Sequence, residues 1–256
     1  MTTMCTGDFP RMLVSTLTSE NRRKWHLENK IIPLINNFKR QIFIDTVIDT
    51  TSFIKLCEIN ALSDGMRIYV AAFPNDPNNS EVPSGYAGTL TLIYTPCKKN
   101  GQFYYDSGPN NYFYFHPFKG LKFITKNVAK VWVNDYRVNI LPELTKIVNA
   151  NGGSSVYDTK SLFHKVEDFI ELKKEFDCQE AKFVKVCFTS YTNKETDSNG
   201  QLYLSRLTVG FELIDEYGMK IDVVQRPRMK VDSAKMITDF NNAELCPPLK
   251  CDQDPF

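Results

Sequence analysis

The spacing of apolar residues changes period several times along the chain, and each change marks an element. From Leu162 to Phe176 the apolar positions Leu162, Val166, Phe169, Ile170 and Phe176 recur at helical spacing, while Lys165, Glu167, Lys173 and Lys174 lie mostly elsewhere. Such a stripe predicts a helix with one buried face. Residues 66–73 and 183–191 are instead short runs of β-branched and aromatic side chains, which fit a pleated strand. Polar stretches follow them, with turn-forming Asn75-Asp76-Pro77-Asn78-Asn79 in one case and Asp197-Ser198-Asn199-Gly200 in the other. A returning strand is expected over 89–95 and 202–214, and a third over 101–106 and 219–224.

Aligned with itself, the chain repeats this order. At an offset of 109, Ile31-Ile32-Pro33 falls on Ile140-Leu141-Pro142, and Asp49-Thr50-Thr51-Ser52 falls on Asp158-Thr159-Lys160-Ser161. After an insertion of nine residues in the second half, the strand that starts at Arg67 falls on the one that starts at Lys185. One residue is then lost, and Leu90-Thr91-Leu92-Ile93-Tyr94 meets Leu207-Thr208-Val209-Gly210-Phe211. The constant order predicts an internal duplication. Pro33 and Pro142 suit a first helical turn, where a missing N–H costs nothing. Ser52 and Ser161 are placed to cap a second helix.

The fold class expected is therefore α+β: two pseudo-repeated α-α-β-β halves whose antiparallel sheets pack against helices. An N-terminal helical extension covers 1–30, the first half 31–106 and the second half 140–230. Between them 107–139 forms an aromatic insert without a counterpart. The tail, 231–256, carries Leu245-Cys246-Pro247-Pro248; two prolines bar a helix there, so a surface coil is expected.

Composition narrows the class. The 256 residues are 42% hydrophobic and 24% charged, which is globular rather than disordered. The formal net charge is +1, and basic residues cluster only at Arg22-Arg23-Lys24 and loosely at Arg226, Arg228 and Lys230. A nucleic-acid partner is not expected on that balance. No apolar run is long enough for a membrane span, and nothing at the start reads as a signal peptide. Seven cysteines without a C-x-x-C pair fit reduced thiols, hence a cytoplasmic protein.

Two strands and the tail also carry a resemblance. Arg67-Ile68-Tyr69-Val70-Ala71-Ala72-Phe73-Pro74, Thr89-Leu90-Thr91-Leu92-Ile93-Tyr94-Thr95-Pro96 and Leu245-Cys246-Pro247-Pro248, with Asp158-Thr159-Lys160-Ser161, resemble a loose group of small uncharacterised bacterial proteins. The shared motifs are packing patterns, and Lys185 and Cys187 depart from them in the second copy. The resemblance implies no activity.

Few residues point to chemistry. Arg67 opens an apolar strand and, with Asp49, is a candidate for recognising an anion or carboxylate, since a guanidinium fork suits planar oxygens. A structural ion pair is the plainer expectation. Asp49, Asp158 and Ser161 stand at expected helix starts, where free N–H groups attract anions; simple capping explains them equally well, because no glycine-rich loop precedes either. His26, His116 and His164 lack partners at metal-ligand spacing, and Cys246 and Cys251 lack the second pair that zinc needs. No metal and no cofactor is expected. The aromatic run holding Tyr112, Tyr114, His116 and Phe118 is a candidate interaction surface, although its alternation also suits a strand packed on both faces.

A non-catalytic binding or protein-interaction module is therefore expected, with an unknown protein partner or self-association and no membrane. The alternative is an enzyme acting on a small polar or anionic substrate in a cleft between the halves, through Arg67 with Asp49 or Asp158. The first requires an exposed apolar patch. The second requires a polar pocket where Arg67 meets a carboxylate.

Overall fold

A computed structural model describes residues 13–39, 41–43, 45–76, 79, 81–101, 103–108, 110–152, 158–192, 204–221, 237–240 and 244–246. Strand β1 (Leu13–Ser15) leads into helix α1 (Thr16–His26), a π-helical turn (Leu27–Ile31) and α2 (Ile32–Phe38). There follow β2 (Thr46–Asp49), α3 (Thr50–Ala61), β3 (Gly65–Ala72) and β4 (Leu90–Asn100). The middle of the chain holds β5 (Phe103–Asp106), β6 (Tyr112–His116), β7 (Gly120–Ile124), α4 (Lys126–Asn139) and α5 (Leu141–Ala150). Last come β8 (Ser161–Lys165), α6 (Val166–Cys178), β9 (Phe183–Ser190), β10 (Leu207–Ile214), β11 (Ile237–Phe240) and β12 (Glu244–Cys246).

The runs β2-α3-β3-β4 and β8-α6-β9-β10 have the same element order, and each lends its first strand to the other. β2 lies antiparallel to β9, from Thr46 opposite Val186 to Asp49 opposite Phe183. β8 lies antiparallel to β3, from Gly65 opposite Lys165 to Tyr69 opposite Ser161. The result is a five-stranded sheet ordered β1-β11-β10-β9-β2 and a seven-stranded one ordered β12-β8-β3-β4-β6-β7, with β5 also on β4. At Gly65 a Cβ would stand 2.4 Å from the Phe163 ring and 2.7 Å from the His164 carbonyl oxygen, so only glycine fits that crossing.

One core joins the two sheets. Met66, Ile68 and Val70 of β3 meet Val184, Val186 and Phe188 of β9 in it, together with Phe53 and Leu56 of α3 and Phe169 and Leu172 of α6. The other face of β3 turns Tyr69 and Ala71, with Phe73 just past the strand's end, into a second core under Ala129, Trp132 and Val133 of α4. Burial on both faces explains why β3 is apolar almost throughout rather than alternating.

Three expectations need correction. Asp158-Thr159-Lys160-Ser161 does not open a helix: Ser161 starts β8, and α6 begins at Val166, where the Asp168 carboxylate accepts the Lys165 N–H at 3.0 Å. The helical period from Leu162 concealed a five-residue strand, and Ile170 faces water. Within the tail, Glu244–Cys246 is a strand that pairs with β8, not a coil; Pro247 and Pro248 lie outside the described residues. Cys57, Cys97 and Cys187 are free thiols as expected, but Cys178 is disulfide-bonded.

The N-terminal arm docks through polar side chains. Ser19, Arg22, His26 and Lys30 are all buried, at spacings that place them along one side of the helix. Lys30 pairs with Asp158, both fully buried, and Asp158 also accepts the N–H groups of Thr159 and Leu207, each at 2.7 Å. His26 Nδ1 lies 2.9 Å from Ser190 Oγ, and Arg23 pairs with the buried Glu212 at 2.7 Å.

Asp158→Ala leaves the Lys30 charge buried without its carboxylate and is expected to lower stability by about 3–5 kcal/mol in urea unfolding. Adding Lys30→Met should recover most of that loss. Burial, reinforced by the Lys30 charge, pushes the pKa of His26 well below 6.5. The fold therefore keeps the ring neutral, while the unfolded chain protonates it near 6.5. Stability present above that pH is lost as pH falls below it. The thermal midpoint should drop between about pH 7.5 and about pH 5, and should drop less in His26→Gln.

Candidate binding surface

Arg67 lies in the interior of the seven-stranded sheet, 2% exposed. Its partner is Asp106 of β5, with Nη1 2.7 Å from Oδ1; Asp49 is not in contact with it. Nη1 also donates to Tyr69 Oη at 3.2 Å, and Nη2 donates to the Tyr104 carbonyl at 2.8 Å. Tyr69 and Tyr112 donate to Asp106 Oδ2 at 2.8 and 2.9 Å. Burial and the Asp106 charge push the Tyr69 hydroxyl upward. Burial likewise pushes the neighbouring Cys97 thiol up to about 12, so both stay protonated at neutral pH. The cluster is a closed clasp that fixes β5 to the sheet, and its carboxylate comes from the chain itself.

Asp49, rather than the expected Ser52, caps α3, accepting from the Ser52 N–H at 2.9 Å and the Ser52 hydroxyl at 2.7 Å. Burial works against its charge, but these two donors hold the carboxyl below its usual range. The same Ser52 hydroxyl accepts the Leu121 N–H at 3.2 Å, tying β7 to the helix start. Gly120, at φ +65°, makes this approach possible, since a Cβ there would stand 2.4 Å from Ser52 Oγ. Asp158 and Ser161 are buried elsewhere, in the Lys30 network and in β8, and form no site with Arg67.

The aromatic segment divides. Tyr112 and Tyr114 are interior, facing the second core, while Phe113 and Phe115 fill the main one. Of the four residues expected at the surface, only His116 and Phe118 reach it. Phe118, in the β6–β7 turn, is 73% exposed and packs edge-on against Tyr86 and His116, at 6.2 and 6.0 Å between ring centroids. Tyr86 rests on Phe73, which contacts Tyr114 and Trp132 in turn. An aromatic column thus runs from beneath α4 to the tip of the hairpin. His116 Nδ1 accepts the Phe118 N–H at 3.1 Å. Partial burial, with Lys119 and Lys122 nearby, lowers its pKa and favours the neutral ring.

Beside the column lies a groove of about 290 Å³, lined by His116, Lys119, Lys122 and Phe123 with Tyr114 and Val128 beneath. Phe123 is 56% exposed. On the opposite side of the tip, Val47, Tyr86, Phe115 and Pro117 line a smaller pocket of about 150 Å³. The sequence carries a sign of this surface in the alternation of basic and aromatic residues from His116 to Phe123, whereas the role of Asp106 depends on β5 folding back over β4.

Among the described residues, no group of three or more His, Cys, Asp or Glu side chains is placed to hold a metal ion. None of their helices is long and apolar enough to cross a membrane. The chain matches no protein-family model, no curated protein and no solved structure.

Asp106→Ala removes the carboxylate that pairs with Arg67 and should cost about 3–5 kcal/mol of unfolding free energy. Asp106→Asn, which keeps an acceptor for the two tyrosines, should cost less.

Proposed function

We propose that this protein is a non-catalytic binding protein and that the β6–β7 tip, with the groove beside it, is its contact surface. The observation that carries this role is Phe118, held in water at the end of a packed aromatic column. A large ring fixed by its neighbours loses little conformational freedom on contact, and aromatic anchors of this kind dominate binding energy at interfaces.

An enzyme built around Arg67 would need that guanidinium to face substrate. Here its polar contacts go to Asp106, Tyr69 and Tyr104 inside the protein. A small-ligand cleft uniting Arg67 with Asp49 or Asp158 finds no support in their positions.

The duplicated scaffold belongs to the same proposal. We take the two β-α-β-β runs as copies of one ancestral unit, supported by their shared element order and reciprocal strand exchange. Strands β5 to β7 and helix α4 interrupt the symmetry after the first run, and they carry the contact surface.

Phe118→Ala should leave stability within about 0.5 kcal/mol, as expected at an exposed position, while abolishing partner binding. The direct test is photo-cross-linking in the native host. A photoreactive residue at position 118 should capture a reproducible partner, and one at the equally exposed Tyr217 should not. Capture at 217 alone, or at neither position, would contradict the assignment.

A further inference from the structure

Between Asp106 and Asp135 the chain carries Lys119, Lys122, Lys126 and Lys130 and no acidic residue, in a protein of formal net charge +1. This local excess falls on the β6–β7 turn, β7 and the first turns of α4. β7 is also the terminal strand of its sheet among the described residues.

Backbone geometry shows what that edge offers. Leu121 lies opposite Phe115, and Phe123 opposite Phe113. The Leu121 N–H turns away from β6, since it donates to Ser52 Oγ. In an antiparallel pair the hydrogen-bonding direction alternates, so Phe123 also turns its N–H and C=O outward. The same alternation directs Phe113 toward β4, where it pairs with Tyr94. The open edge therefore starts just past the Ser52 contact, with an exposed aromatic ring at Phe123 and Lys122 beside it.

We propose that β7 is a docking edge for an extended, acidic peptide segment that adds to the sheet beside Phe123. This rests on the binding role proposed above and names its partner class. Strand addition draws affinity from main-chain hydrogen bonds and specificity from alternate side chains. Here an apolar side chain of the segment lies against Phe123, and flanking carboxylates meet Lys119 and Lys122 across the groove. A second copy of this chain suits the edge poorly, because antiparallel β7–β7 pairing would set lysines against lysines. Nucleic acid suits it less than a peptide does: Glu81 also lines the groove, and phosphate chains have no amide ladder to complete the edge.

The test uses the full-length protein and a fluorescein-labelled synthetic peptide alternating glutamate with valine, followed by anisotropy. Saturable binding is expected, weakening with added salt, whereas the same peptide with lysine for glutamate stays unbound. Lys122→Glu should weaken binding about tenfold or more by placing like charges together. Phe123→Pro, which removes the outward N–H, should do the same, with the thermal unfolding of each variant measured alongside. No binding of the acidic peptide, or binding indifferent to Lys122→Glu, overturns the proposal. So does tight binding of a single-stranded deoxythymidine oligonucleotide in its place, or a concentration-dependent dimer that Lys122→Glu dissociates. Cross-linking at position 118 separates the two levels. If it persists while the peptide fails, the surface stands and the partner class falls; if both fail, both fall.

Discussion

The structure depends on the exchange of first strands between its two β-α-β-β runs. β2 completes the ladder of β9, and β8 completes that of β3. Backbone N–H and C=O groups buried in a sheet must be paired, so neither run can satisfy its hairpin without the other. The apolar faces of both hairpins then share one core, in which α3 touches α6 through Phe53 and Phe176, 4.7 Å apart. Loss of either crossing would expose strand edges and open the common core, so the runs form one cooperative body rather than two domains in series.

Two buried ion pairs attach peripheral pieces to that body. Lys30 and Asp158 hold the N-terminal arm, and Arg67 and Asp106 hold β5. Burying charge costs much of what pairing returns, so such pairs add little net stability compared with a well-packed apolar core. Their effect is selective: an arm or strand docked in the wrong register would leave a charge in the interior. In both clasps backbone or hydroxyl donors complete the carboxylate's hydrogen bonds, with Thr159 and Leu207 N–H on Asp158 and Tyr69 and Tyr112 hydroxyls on Asp106.

Local physics made the hairpin strands legible in sequence. The β-branched and aromatic runs at 66–73 and 183–191 are β3 and β9, and Pro33 and Pro142 do lie in the first turns of α2 and α5. What failed depended on long-range partners. Asp158 resembled Asp49 as a cap, yet a buried lysine 128 residues earlier claims it. Arg67 was recognisable as unusual, but Asp106, 39 residues away, reaches it only through the pairing of β5 with β4. Tyr112 and Tyr114 have the composition of a surface platform, and α4 covers them instead. Phe118 escapes burial because it falls in the turn, beyond the reach of either core.

The proposed contact surface thus sits on the strands that follow the first β-α-β-β run, where β7 ends its sheet among the described residues. Amide hydrogen exchange of the free protein and of the protein saturated with the acidic peptide tests this most directly. The account predicts that the Phe123 amide exchanges rapidly in the free protein while those of Lys122 and Ile124 are protected, and that the peptide slows Phe123 selectively. Protection of Phe123 in the free protein, or peptide-induced slowing confined to strands away from β7, would contradict it.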